Sequence, residues 1–322
     1  MKFNNRARLD TRQVRDIRGR SGGRSSGLGG GRSGSPMPGG LRAGGGIGGV
    51  LIALIIWFVS SQMGGDSSGG TSTATGAGSS SQGGSQGGSS SLNQQCRTGE
   101  DANENADCAR VAVINSVQSF WSQTLPEQAG REYQDADTTF FSGSVNTACG
   151  NATSAVGPFY CPGDSLVYLD LTFFDDMLEG QLGARGGPFS EAYVIAHEYG
   201  HHIQNLLGTM DRVRDREGAT SDSVRLELQA DCYAGMWAAA ATSATDATGD
   251  VAIIEELTQD DIARAIDAAE AVGDDRIQQR SGSEVDPDTW THGSADQREA
   301  WFMAGYEAAD MRECDTFGTS AL

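Results

Sequence analysis

The run from Gly64 to Ser91 is almost wholly Gly, Ser, Gln and Thr and carries one charge, Asp66. A segment of that composition cannot bury enough apolar surface to offset the ordering of its backbone, so it reads as a flexible tether. It divides the 322-residue chain unequally. The larger part, Cys96 to Leu322, is long enough for one domain with a substantial core.

Charge changes sign along the chain. Met1 to Met63 holds 10 basic residues against 2 acidic ones, Asp10 and Asp16, whereas the remainder holds 13 basic against 41 acidic. An acidic body repels phosphates, which argues against nucleic acid as a partner. No residue between Arg42 and Asp66 is charged. There, "IGGVLIALIIWFVSSQM" (Ile47–Met63), with the flanking Ala43–Gly46, reaches the roughly 20 residues that a bilayer core requires. All the early positive charge precedes it, so the positive-inside rule places the N-terminus in the cytoplasm and exports the body. The expected organisation is a disordered basic cytoplasmic tail at 1–42, a transmembrane signal anchor at 43–63, a Gly/Ser-rich linker at 64–95 and an extracytoplasmic domain at 96–322. The chain is then a single-pass protein of the cell membrane; a cleaved signal peptide is the alternative.

All six cysteines fall in the body, where an even number in an oxidising compartment predicts disulfides. Short loops close at least entropic cost, which favours Cys96–Cys108 and Cys149–Cys161 and leaves Cys232–Cys314. No C-x2-C pair points to a cysteine zinc site.

Apolar spacing of three and four predicts helices over Ala109–Trp121, ending before Pro126, and over Val224–Ala241, Asp260–Val272 and Ala295–Met311. "AYVIAHEYGHHIQNLLG" (Ala192–Gly208) is also helical, with Pro188 and Ser190 at its start and Gly208 past its end. "LVYLDL" (Leu166–Leu171) reads as a strand, and as the edge strand beside which an extended substrate would lie. Helices dominate over a small sheet, so the fold class is α+β.

Three of the four histidines lie in that one helix. His197 and His201 are four apart and share a face, so both can bind one metal ion, while Glu198 sits about 100° around, near the ion but off the ligand line. This is H-E-x-x-H, in which the glutamate is general base toward metal-activated water. Solvated histidines on an amphipathic helix are the bland alternative, and a second feature weakens it. In "LELQAD" (Leu226–Asp231), Glu227 and Asp231 again share one helical face. Two histidines leave a catalytic zinc one protein ligand short, and Glu227 fills that place. Asp231 then stands where a carboxylate accepts the other N–H of a ligating histidine. His202, on a different face, is expected to hydrogen-bond within the domain. His292, in a loop before the last helix, is the candidate donor to the oxyanion of a tetrahedral intermediate. Tyr199 and Tyr233 are weaker candidates for that task, and Arg298 either orients an acid near the site or pairs on the surface.

These residues lie in blocks that resemble the bacterial neutral zinc metallopeptidases, membrane-anchored proteins with a zincin-like domain. The blocks are "VRDIRG" (Val14–Gly19), "ACGNATSAVGPFYCPGDSLVYLDLTFF" (Ala148–Phe174), the H-E-x-x-H helix, "VRLELQADCYAGMWA" (Val224–Ala238) and "THGSADQR" (Thr291–Arg298). The resemblance implies a zincin-like arrangement, with His197 and His201 as zinc ligands and Glu198 as base. The E-x-x-x-D helix looks like that of the gluzincins, which supports Glu227. The expected activity is hydrolysis of a protein or peptide substrate with Zn2+ as cofactor. A catalytically silent zinc-stabilised binding module and an amidase acting on cell-wall peptides are the other two readings.

Overall fold

The computed structural model describes residues 1–19 and 87–322. Two short strands, β1 (Lys2–Phe3) and β2 (Val14–Asp16), open the chain, and helices α1 (Gly87–Gln95), α2 (Gly99–Glu104) and α3 (Ala106–Ala129) come after them. Next are β3 (Thr138–Phe141), β4 (Ser144–Thr147), β5 (Gly150–Thr153), β6 (Phe159–Cys161) and β7 (Leu166–Asp170). Helices α4 (Pro188–Leu207) and α5 (Asp222–Ala240), strand β8 (Ile254–Glu256), and helices α6 (Gln259–Ala271), α7 (Asp274–Arg280) and α8 (Ala295–Ala308) complete the α+β architecture.

Helix α4 forms where its sequence places it. Pro188 occupies the first turn, where its missing N–H costs nothing, and Gly208 ends the helix at φ 73°. Its apolar stripe of Ile195, Ala196, Tyr199 and Ile203 is fully buried. Gly200, inside H-E-x-x-H, faces Ala230 of α5 so closely that a Cβ there would lie 3.0 Å from the Ala230 carbonyl oxygen. The helix of the histidines therefore approaches the helix of Glu227 backbone to backbone. Helix α3 runs through Pro126 rather than stopping before it. Proline deprives the carbonyl four residues earlier of its partner, and that residue, Ser122, is exposed to water.

The main sheet has the order β2-β3-β7-β6. β3 is parallel to both β2 and β7, and β6 runs antiparallel to β7. "LVYLDL" is thus an inner strand, buried along nearly its whole length, and among the described residues the outer strand on that side is β6.

The N-terminal expectations need correction. The anchor expected at 43–63 lies outside the described residues, as do residues 20–42 of the tail and 64–86 of the linker. Among the described residues no helix is long and apolar enough to cross a membrane. Residues 1–19 join the body: Val14 pairs with Thr138 and Asp16 with Phe140, while Lys2 and Phe3 pair with β8. Arg18 bridges Asp16 and Asp107 of α3 at 2.8 and 2.6 Å, and the Arg8 backbone N–H donates to Asp246. Segments on opposite faces of a bilayer cannot share a sheet, so a cytoplasmic tail with an exported body on a single-pass anchor is not supported. The basic residues of "VRDIRG" complement the acidic body. The linker expected at 64–95 also ends early, because 87–95 is helical and Leu92 is buried.

The three disulfides are those expected: Cys96–Cys108, Cys149–Cys161 and Cys232–Cys314. The last ties α5 to the segment after α8.

Val14 is 3% exposed at the sheet's outer strand. Placing a charge there by Val14→Asp in the full chain should cost about 3 kcal/mol and lower Tm by roughly 6–10 °C. An unchanged melting curve would show that the N-terminal strand does not pack on the sheet.

Candidate metal centre

His197 and His201 project from α4 toward Glu227 of α5. His197 Nε2 lies 3.2 Å from Glu227 Oε2, and His201 Nε2 lies 3.5 Å from Glu227 Oε1. One donor atom from each of the three falls within 4.8 Å of the others. Zinc bonds of about 2.0–2.1 Å at tetrahedral angles separate neighbouring ligand atoms by about 3.3 Å, and each His–Glu spacing, though to a different oxygen of the carboxylate, is close to that.

The outer nitrogens are fixed. His197 Nδ1 donates to Asp231 Oδ1 at 2.8 Å, and His201 Nδ1 donates to Gln204 Oε1 at 2.8 Å. Each ring thereby turns Nε2 inward, toward Glu227. Asp231 is wholly buried and held by Arg298, which reaches both carboxylate oxygens at 2.9 Å, and by the Tyr193 hydroxyl at 2.5 Å. Arg298 therefore orients an acid, the first of the two roles expected for it, and is itself buried.

Electrostatics divide the two glutamates. Burial tends to raise Glu227, but His201 and His197 outweigh it and hold the carboxyl well below its ordinary range. Burial lifts Glu198 above its ordinary value of 4.5, and the pull of His201 and His197 does not cancel that rise. Burial acts to lower His197, yet Asp231 and the hydrogen bonds of Asp231 and Glu227 push it up to about 10.

His292 lines the same groove as His197, Glu198, His201 and Glu227. Asp274, at the first turn of α7, accepts the backbone N–H groups of Thr291 and His292 at 2.7 Å and of Gly293 at 3.1 Å. Its other oxygen lies 3.3 Å from His292 Nδ1. Burial acts to lower the imidazole, but Asp274 raises it above 6.5. Asp274 escapes a reading of the sequence because eighteen residues and a loop separate it from His292. Gly273 before it is the local trace, since a Cβ there would lie 2.5 Å from the Ala295 nitrogen.

The remaining candidates lie elsewhere. His202 is buried between the Tyr160 hydroxyl at 3.0 Å and the Gln134 carbonyl at 2.7 Å, bonded within the domain as expected. The Tyr199 hydroxyl bonds to the Ala136 carbonyl and Thr138 under the sheet, and Tyr233 packs on Trp121, so neither reaches the groove. The groove, with a cavity of about 160 Å³, is walled on its apolar side by Phe159, Phe173, Met177, Leu182 and Val194.

An H-E-x-x-H helix completed by a carboxylate from a second helix defines a metallopeptidase type of centre. Residues 1–317 match the family described as "Putative neutral zinc metallopeptidase", and the chain belongs to that family. It is 50% identical over 229 residues to the uncharacterized protein Rv2575 of Mycobacterium tuberculosis, covering 71% of this chain and 76% of that protein. It is 40% identical over 236 residues to the uncharacterized protein YpfJ of Escherichia coli, covering 71% and 78%. No solved structure matches the chain significantly.

Asp231 and Arg298 are buried together, so removing one leaves the other unpaired. Arg298→Met should destabilise the protein by about 3–5 kcal/mol, and Asp231→Asn combined with it should recover part of the loss. An unchanged denaturation midpoint for the single variant would mean that the pair does not carry the site.

Proposed function

We propose that this chain is a zinc-dependent peptidase that hydrolyses peptide bonds in a protein or peptide substrate, with Glu198 as general base. The observation that carries the reading is the convergence of His197, His201 and Glu227, one donor atom of each within 4.8 Å of the others, with Glu198 lining the same groove. His197, His201 and Glu227 would hold the ion, and zinc, when bound, supplies a Lewis acid that acidifies water and polarises a carbonyl.

Glu198 takes the proton of the attacking water and returns it to the leaving amine nitrogen. The Tyr160 backbone on β6 lies close to the Glu198 carboxyl and acts against its rise. His292, with Nδ1 facing Asp274, donates from Nε2 to the oxyanion. Asp231 keeps the His197 ring in place. β6 is the outer strand of the sheet on this side among the described residues, and Phe159 and Tyr160 of it line the groove.

The two glutamates should separate by mutation. Glu198→Gln should retain one zinc per chain yet lose about 10²–10⁴-fold in turnover of a denatured protein substrate, because an amide cannot take the proton. Glu227→Gln should lose zinc, a neutral oxygen being the poorer ligand. Parent protein that takes up no zinc, or Glu198→Gln that hydrolyses like the parent, would overturn the reading.

The pH dependence comes from the same groups. Glu198 works only when deprotonated, so activity falls as pH drops through a pKa above 4.5. His292 donates only when protonated, so activity falls again as pH rises through a pKa above 6.5. The expected kcat/KM profile is a bell. His292→Ala should erase its alkaline limb and lower kcat more than it raises KM. An alkaline limb that persists in this variant would exclude His292 from the step.

A further inference from the structure

His197 and His201 are held by different means. His197 leans on a charged pair, Asp231 and Arg298, whereas His201 leans on a neutral chain of two amides. His201 Nδ1 meets Gln204 Oε1 at 2.8 Å. Gln204 Nε2 donates to the Leu226 carbonyl at 2.6 Å and to Gln229 Oε1 at 3.2 Å. Gln229 Nε2 in turn donates to the Cys314 carbonyl at 2.8 Å. Both glutamines are buried, Gln204 completely.

The direction of this chain is not free. A backbone carbonyl only accepts, so Leu226 forces the NH₂ group of Gln204 toward α5 and turns its oxygen toward His201. The Cys314 carbonyl does the same for Gln229, which then offers its oxygen to Gln204. The polarity runs one way from Cys314 to the imidazole, and the end that meets His201 can only accept. We infer that Gln204 and Gln229 are positioning residues of the metal centre: together they place the His201 proton on Nδ1 and keep the Nε2 lone pair for the ion. The far end is fixed by the Cys232–Cys314 disulfide.

The inference rests on the zinc reading only in taking His201 Nε2 as a ligand atom, and its first test needs no metal. In the zinc-free parent, ¹⁵N shifts of the His201 ring should show the proton on Nδ1; a proton on Nε2 alone would overturn the inference. Gln204→Met keeps the length of the side chain and removes the acceptor. It should weaken zinc about 10–100-fold in competition with a chelator, the usual cost of losing such a partner. It should also shift the visible absorption of the cobalt(II)-substituted protein. Gln229→Met leaves that acceptor in place but frees its orientation, and should weaken zinc in the same direction by a smaller factor. Folded variants, by circular dichroism, that bind zinc and cobalt like the parent would overturn the inference while leaving the peptidase reading intact. A parent that binds no zinc would sink the peptidase reading, and the ring shifts would still decide the tautomer.

Discussion

Asp231 and Arg298 are both buried, and neither charge is tolerable there alone. Their bidentate contact is the joint on which the centre turns. It brings α8 against α5, receives the Tyr193 hydroxyl from α4 and presents one carboxylate oxygen to His197. Four polar groups, Asp231, Arg298, Tyr193 and His197, set these three helices in one register. The close approach of the helices makes this possible: a Cβ on Gly305 would lie 1.9 Å from the Cys232 carbonyl oxygen, so α8 meets α5 backbone to backbone beside the pair.

Much of the centre is legible in the sequence because its signals are local. The spacing of His197, Glu198 and His201, and of Glu227 and Asp231, is a helical period, and the period survives folding. Pro188 and Gly208 mark the ends of α4 for stereochemical reasons that hold in any protein. The disulfides agree with loop length. The hidden part depends on residues far apart in sequence. Asp274 reaches His292 across a loop, and the Gln204–Gln229 chain ends on Cys314. "LVYLDL" has the composition of a strand, but composition does not say how many neighbours a strand has, and β7 is an inner one.

The N-terminus misleads for a related reason. Arginines spread among glycines and serines read as a tail when counted along the chain. In space, Arg18 answers Asp107 and the Arg8 backbone answers Asp246, so the first residues and the acidic body are complementary surfaces. The charge contrast that suggests two sides of a membrane is, over residues 1–19, what joins two parts of one domain. "VRDIRG" is legible as a block; the strand it forms needs β3 to exist.

That strand has a consequence for how the chain is made. Residue 14 must wait for residue 138 before β2 has a partner. At ribosomal rates of 5–20 residues per second the delay is on the order of ten seconds. Over that interval an unpaired strand is a template for wrong pairing, and charged side chains are a usual guard against it. Arg6, Arg8, Arg12, Arg15 and Arg18 are spaced through the segment and repel a second copy of it. Pairing so distant in sequence is slow to form, and the sheet is then completed late, after much of its domain has emerged.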